Sequence, residues 1–249
     1  NMELTSAYAS IANGGTYQKP VLYTKVVDHN GNILLSNTQK GKRVMKESTA
    51  FLLTDAMKDV ITKGTGKSAK LSSSMAVAGK SGTTSNSYDY WFSGYTPYHT
   101  ASVWMGYDKN TNFASDNTHK KIWAKVMNEI IKTKQEQTTD FKKPADIVKA
   151  KVCKESGKLA IKGVCDHDPR GSRVITEYFE KGTVPTQTCD IHVAVEVCKT
   201  SDKLATKNCP ANKKQRKFYI VRKKGSHGKT ADTPYLLPKK YQSVFCKKH

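Results

Sequence analysis

The chain has 249 residues, with 42 Lys+Arg against 21 Asp+Glu and a formal net charge of +21 at neutral pH. That length is one large domain or two small ones. No apolar run reaches the roughly 18 residues of a bilayer-spanning helix, and residue 1 opens neither a basic n-region nor the apolar h-region of a signal peptide. Hydrophobic residues make up only 37% of the chain, which predicts one part that buries a core and another that does not.

Charge divides the chain in the same way. Residues 1–140 carry 17 basic and 11 acidic side chains, whereas residues 141–249 carry 25 and 10, a net +15. Such a field concentrates polyanions, whether nucleic acid, anionic lipid headgroups or anionic cell-wall polymer, and charge alone does not choose among them. All six cysteines also lie in the second part.

In chain order, residues 1–13 read as a helix with Leu4, Ala7, Tyr8 and Ile11 on one face, ended by Asn13-Gly14-Gly15. Residues 21–27 and 32–35 flank Asp28-His29-Asn30-Gly31, a β-hairpin signal with an Asn-Gly turn. Ser48 is placed to cap a helix whose Leu53, Ala56, Met57 and Val60 share a face, and Gly64 closes it. From Met75 the segments MAVAGK, DYWFSGY and TASVWMGYD read as three strands of an antiparallel sheet, with Trp91, Phe92 and Trp104 expected in its core. Ile122, Trp123, Val126, Met127, Ile130 and Ile131 mark a last amphipathic helix before a linker. Lys67 and Lys70 read as a solvated face.

Lys80-Ser81-Gly82-Thr83-Thr84 lies within the strand region. Taken alone it is a Gly/Ser turn. In order with the SAYASIANGG helix, Gly64-Thr65-Gly66, WFSGYTP and VWMGYD, it makes residues 1–132 resemble the C-terminal half of the transpeptidase domain of class A penicillin-binding proteins. The resemblance implies an α+β, β-lactamase-like half-domain: an antiparallel sheet with flanking helices, followed here by small β-rich Cys-containing repeats. Lys-Thr-Gly is the third motif of the penicillin-inactivated serine acyltransferases, and Ser81 keeps the hydroxyl where the family usually has Thr.

By that resemblance Lys80 is the catalytic cation, supporting proton transfer and the anionic end of the site. Ser81, Gly82, Thr83 and Thr84 are the substrate-binding residues. Ser81 and Thr83 offer hydroxyls to the substrate carboxylate, and Gly82 lets a peptide approach the strand backbone. The nucleophile motifs Ser-x-x-Lys and Ser-x-Asn precede Lys-Thr-Gly in family order and are absent from residues 1–79. Ser226-His227-Gly228-Lys229 matches the first by letter, in a Lys-rich stretch with no apolar helical face, and reads as chance.

The expectation is therefore a C-terminal fragment of a larger enzyme that also carries a glycosyltransferase domain and a membrane anchor. Alone it is not acylated by penicillin, and it pairs with a complementing N-terminal half at the extracytoplasmic face of a bacterial membrane. Peptidoglycan stem peptides and β-lactams are the implied ligands, and no cofactor enters catalysis. The expected division is residues 1–139 as the half-domain, 140–150 as linker, and 151–193 and 194–249 as two Cys-rich repeats.

Those repeats align AKVCKESGKLAIKGVC with VEVCKTSDKLATKNC at a 45-residue offset, and each copy closes with Cys-x-x-His. The candidate ligand sets are Cys153, Cys165, Cys189 and His192, then Cys198, Cys209, Cys246 and His249. Three thiols and an imidazole are the complement of a Cys3His zinc site. An oxidising compartment favours disulfides such as Cys153 to Cys165 and Cys198 to Cys209 instead, and both readings stand. His167 reads as an exposed loop residue. The reaction class expected is a D,D-transpeptidase working through an acyl-serine; the alternatives are a D,D-carboxypeptidase, or a basic module binding wall polymer or nucleic acid beside a degenerate transpeptidase remnant.

Overall fold

The structure is a computed structural model that describes residues 1–114, 116–221 and 230–248. The chain divides into two units, Asn1–Ile147 and Val148–His249. Among the described residues no helix is long and apolar enough to cross a membrane.

The first unit runs α1 (Met2–Ala12), β1 (Thr16–Tyr17), β2 (Lys25–Val27), β3 (Ile33–Ser36), β4 (Lys42–Arg43), α2 (Glu47–Thr62), β5 (Ala78–Thr83), β6 (Asp89–Tyr95), β7 (Thr100–Gly106) and α3 (Thr118–Lys134). β2 and β3 form the Asn-Gly hairpin. Gly31 adopts φ +85°, and the Asp28 carboxylate accepts from the Asn30 and Asn32 amides at 2.9 and 2.8 Å.

β5, β6 and β7 make an antiparallel sheet in that order, with Lys80 opposite Ser93 and Trp91 opposite Trp104. Strand alternation covers it on both faces. On one face Phe92 meets Trp123 of α3 edge-on, ring centroids 5.2 Å apart, in a core with Met127, Ile131, Leu71, Met75 and Val77. On the other, Tyr95 and Ala78 pack with Met57 of α2 and Tyr8 and Ile11 of α1.

Several sequence expectations shift. α2 begins after Lys46, so Ser48 is buried inside the first turn and makes no cap; the buried face is Ala50, Thr54, Met57 and Ile61, with Leu53 41% exposed. Thr54 can be buried because its hydroxyl bonds Tyr95, a partner that helical periodicity does not reveal. α1 likewise buries Ser6 and Ser10 in place of Leu4, and α3 turns Ile122 and Val126 outward. Of the three aromatic residues expected in the core, Phe92 is fully buried, whereas Trp104 is 40% exposed with its indole donating to Asp89 at 2.9 Å. Lys58 pairs with Asp140 at 2.8 Å, and Phe141 packs against Tyr95, so residues 140–141 remain bound to this unit.

The second unit contains β8 (Ile147–Cys153), β9 (Val174–Glu180), β10 (His192–Cys198), β11 (Lys203–Leu204), β12 (Lys214–Ile220) and a short α4 (Lys240–Ser243). β8 pairs β9, and β10 lies between β11 and β12. The sequence repeat is a structural repeat. Val152 bridges Leu159 as Val197 bridges Leu204, and Leu159 runs parallel to Thr188 as Leu204 does to Phe245. The Cys189 amide donates to Leu159 and the Cys246 amide to Leu204, both at 2.8 Å. Gly157 and Asp202 occupy the same turn, each with positive φ and each donating 2.8 Å to the carbonyl of the first cysteine.

Candidate functional site

Lys80, Ser81, Gly82 and Thr83 sit on β5, the strand that ends the sheet order and pairs on one side with β6. Alternation sends Lys80 and Gly82 to one face and Ser81 and Thr83 to the other. Lys80 is exposed and its Nζ donates to the Ser81 carbonyl at 2.7 Å. Ser81 Oγ is 2.8 Å from Thr65 Oγ1, which ties the Gly64-Thr65-Gly66 loop to the strand. A Cβ built on Gly82 would meet only Trp91 Cβ, at 3.4 Å, so the space over this strand is open. Thr84 differs from the other four: its hydroxyl donates to Asp89 Oδ2 at 3.0 Å and accepts from the Asp89 amide at 2.9 Å, which closes the turn into β6.

Sequence reasoning passed over two residues here. Thr65 stood only within a family segment, with no role. Lys120, 7% exposed on the first turn of α3, donates to Asn117 Oδ1 at 2.7 Å; burial, then the positive charge of Lys80, holds its pKa below the ordinary lysine range. No pattern in the sequence relates positions 80 and 120.

In the second unit the donor atoms of Cys153, Cys165, Cys189 and His192, all buried, lie within 4.8 Å of one another, as do those of Cys198, Cys209 and Cys246. Each group can hold a metal ion. No disulfide joins them. His249, paired with Cys246 by spacing, and Ser226 through Lys229 lie outside the described residues. His167 stands apart from both clusters, against Asp166 and stacked on Phe218 at 4.8 Å. Burial acts to raise Cys189, but hydrogen bonds with Ser156 and the His192 and Ile191 amides outweigh it and bring its pKa down to about 6. Burial pushes Cys165 up to about 12. Asp168, bound to His192 behind the first cluster, and Arg170, bound to Asp168, carried no sequence signal.

Residues 1–132 match the family described as penicillin binding protein transpeptidase domain, and residues 143–194 match penicillin-binding protein 1A, C-terminal domain. Penicillin-binding protein 1A of Clostridium botulinum (strain Langeland) is 36% identical over 241 residues, covering 94% of this chain and 28% of its own length. Penicillin-binding protein 1A/1B of Bacillus subtilis (strain 168) is 31% identical over 201 residues, covering 74% and 21%. The chain thus spans less than a third of these relatives. Among solved structures, penicillin-binding protein 1A from Haemophilus influenzae superposes with a TM-score of 0.59 at 23% identity, over 75% of this chain and 32% of that one, a likeness of fold. With more than half its length matched, the chain belongs to the penicillin-binding protein transpeptidase family, as part of a class A transpeptidase domain followed by a 1A-type C-terminal domain.

Proposed function

We propose that this chain supplies the substrate-binding strand of a peptidoglycan D,D-transpeptidase whose nucleophilic serine lies on a separate segment, the N-terminal half of the same enzyme. The observation that carries this reading is the open edge of β5, where Lys80, Ser81, Gly82 and Thr83 stand on a strand paired on one side. A stem peptide or a β-lactam adds along such an edge by main-chain hydrogen bonds. Gly82 keeps the approach clear, and the Ser81 and Thr83 hydroxyls meet the substrate carboxylate. Lys80, with Lys120 adding positive potential behind it, stabilises the anion that forms as serine attacks and supports the proton transfer between nucleophile and leaving group. Thr84 holds the turn rather than the substrate.

In this reading the enzyme works at the extracytoplasmic face of the membrane, and residues 1–139 act only when complemented. The basic repeats, net +15 over residues 141–249, add attraction for anionic wall polymer without entering the chemistry. The test is labelling by a fluorescent penicillin. The chain alone stays unlabelled, addition of the upstream half restores covalent labelling, and Lys80→Ala in the reconstituted protein lowers it about 100- to 10,000-fold. Labelling unaffected by Lys80→Ala rejects the assignment. Product analysis with an amine acceptor separates transpeptidation from carboxypeptidation.

A further inference from the structure

We propose that Cys153, Cys165, Cys189 and His192 coordinate one structural zinc ion, with Asp168 and Arg170 as positioning residues that orient the imidazole from behind. The inference is independent of the transpeptidase reading, because it concerns the second unit and none of the β5 residues.

The donor atoms already stand close to the spacing a metal imposes. His192 Nδ1 is 3.3 Å from both Cys153 Sγ and Cys189 Sγ, and all four donors fall within 4.8 Å. A tetrahedral ion with Zn–S of about 2.3 Å and Zn–N of about 2.0 Å holds its ligand atoms roughly 3.5 to 3.8 Å apart. Three sulfurs and one nitrogen, with no carboxylate or carbonyl among them, are the soft donor set that selects zinc over hard cations. The set is complete and buried, which marks a structural site and not a catalytic one with an open position.

The imidazole tautomer points the same way. His192 Nε2 lies 2.6 Å from Asp168 Oδ2. Nε2 therefore carries the proton, and the Nδ1 lone pair is aimed at the sulfurs. A carboxylate behind a ligating histidine is the usual outer partner that fixes ring orientation and raises ligand basicity. Here the carboxylate is itself fixed. Asp168, with its side chain fully buried, accepts from the Arg170 amide at 2.7 Å, from Nε at 3.0 Å and from Nη2 at 2.7 Å, and Arg170 Nη1 reaches Asp232 at 2.6 Å. Burying this ion pair is expensive, and it orients one ring nitrogen toward three thiols.

Packing gives the ion a reason to be there. The cysteines themselves form the buried cluster of this repeat, with partly buried Ala160, Ile161, Val174 and Ile191 packed against it and the small side chains of Val152 and Val164 also buried. So small an apolar centre is what a metal replaces in small modules. The Ile161 amide donates to Cys165 Sγ at 3.2 Å, a bond that favours a thiolate. A disulfide accounts for less: bridging any two of the thiols leaves one cysteine reduced and uses two of the four gathered donors, whereas one ion engages all four.

The test uses the full 249-residue chain purified without chelator, with metal analysis, thiol alkylation and intact mass on one sample. Zinc is expected to be present, with Cys153, Cys165 and Cys189 all alkylated once the metal is stripped in denaturant. Cys165→Ser should lose one zinc equivalent relative to the parent, a difference that the second thiol cluster does not affect. A disulfide mapped among these three cysteines, or a zinc content unchanged by Cys165→Ser, overturns the proposal. Because Cys165→Ser can also fail to fold, a second measurement stands beside it. Cobalt(II) added to a stripped Cys198→Ser/Cys209→Ser variant, which keeps the first cluster and removes two thiols of the second, should give thiolate charge-transfer and intense tetrahedral d–d absorption, and weak octahedral absorption overturns the site. Asp168→Asn keeps all four ligands and should weaken zinc about 10- to 100-fold in chelator competition, with altered cobalt d–d bands and retained charge transfer. Parental affinity and parental bands in that variant remove Asp168 and Arg170 from the site.

Discussion

The hydroxyl of Thr65 stands 2.8 Å from that of Ser81, joining residues 16 apart in sequence and coupling the Gly64-Thr65-Gly66 loop to the strand proposed to bind substrate. Both groups are exposed, so the bond contributes little to stability and much to where Ser81 points. Thr65→Val is expected to leave the unfolding free energy within about 1 kcal/mol of the parent. In the reconstituted enzyme it should slow penicillin acylation about threefold to tenfold, the kinetic equivalent of one neutral hydrogen bond. Ser81→Thr keeps the hydroxyl and should retain the parental rate. Urea titration and labelling kinetics on the same preparations check both.

Two glycines should separate folding from function. A Cβ on Gly94 would come within 2.7 Å of Phe92 Cε1 and 2.8 Å of Trp123 Cζ2, inside the core. Gly94→Ala should therefore destabilise the first unit by about 1 to 3 kcal/mol through overpacking. At Gly82 the nearest neighbour of an added Cβ is 3.4 Å away. Gly82→Ala should fold at least as well as the parent, gaining up to about 1 kcal/mol from the stiffer unfolded chain, yet acylate poorly because the methyl stands where the peptide approaches. A Gly82→Ala enzyme with parental labelling would place the substrate elsewhere.

Tyr95 and Thr54 predict an asymmetry. Thr54 Oγ1 donates to the Ala50 carbonyl at 2.8 Å, so the Tyr95 hydroxyl, 2.8 Å away, donates to Thr54. Burial pushes the Tyr95 pKa up to about 12. Tyr95→Phe removes the donor and strands nothing, at a cost of about 1 kcal/mol; Thr54→Val leaves the buried phenol without an acceptor and should cost about 1 to 3 kcal/mol. Chemical denaturation of the two variants ranks them.

The acid limb of the second unit should depend on Asp202. Lys240, Tyr241 and Lys217 all donate to this exposed carboxylate, and these bonds hold its pKa well below the usual carboxylate range. The same contacts raise Lys217, bonded first to Tyr241, and Lys240, bonded first to Asp202. A carboxylate with a depressed folded-state pKa stabilises the fold fully above its unfolded pKa, and that contribution disappears as pH falls through the folded value. The lysine contributions run the other way and fade only as pH rises beyond the ordinary lysine range. Asp202→Asn should therefore lower stability at neutral pH and shrink the difference from the parent on acidification, with Tyr219 and Tyr241 ring signals as a local reporter by NMR.

Much of the strand region is legible because its information is local. DYWFSGY and TASVWMG carry β-favouring residues between turn signals, and Asn30-Gly31 can make few structures other than a hairpin turn. The first strand is different: MAVAGK points to residues 75–80, whereas β5 runs Ala78–Thr83, because pairing with β6 extends it through a Gly/Ser stretch of low strand propensity. Helix faces were less legible: α1 and α2 bury Ser6, Ser10, Ser48 and Thr54, where hydrophobic spacing points to Leu4 and Leu53. Thr54 is buried because a partner waits for it, and that partner, Tyr95, is 41 residues away, beyond what helical spacing encodes.

Order and spacing of residues along the chain determined the family, the β5 motif and the 45-residue repeat with its thiols and imidazole, since each is a pattern of residue types at short or fixed separations. Tertiary structure decided what no spacing encodes. It put Thr65 against Ser81, brought Lys120 into the field of Lys80, committed Thr84 to its turn, and set Asp168 and Arg170 behind His192. Hydrogen bonds and charges act through a few ångströms of space, and only the folded chain brings residues tens of positions apart within that reach.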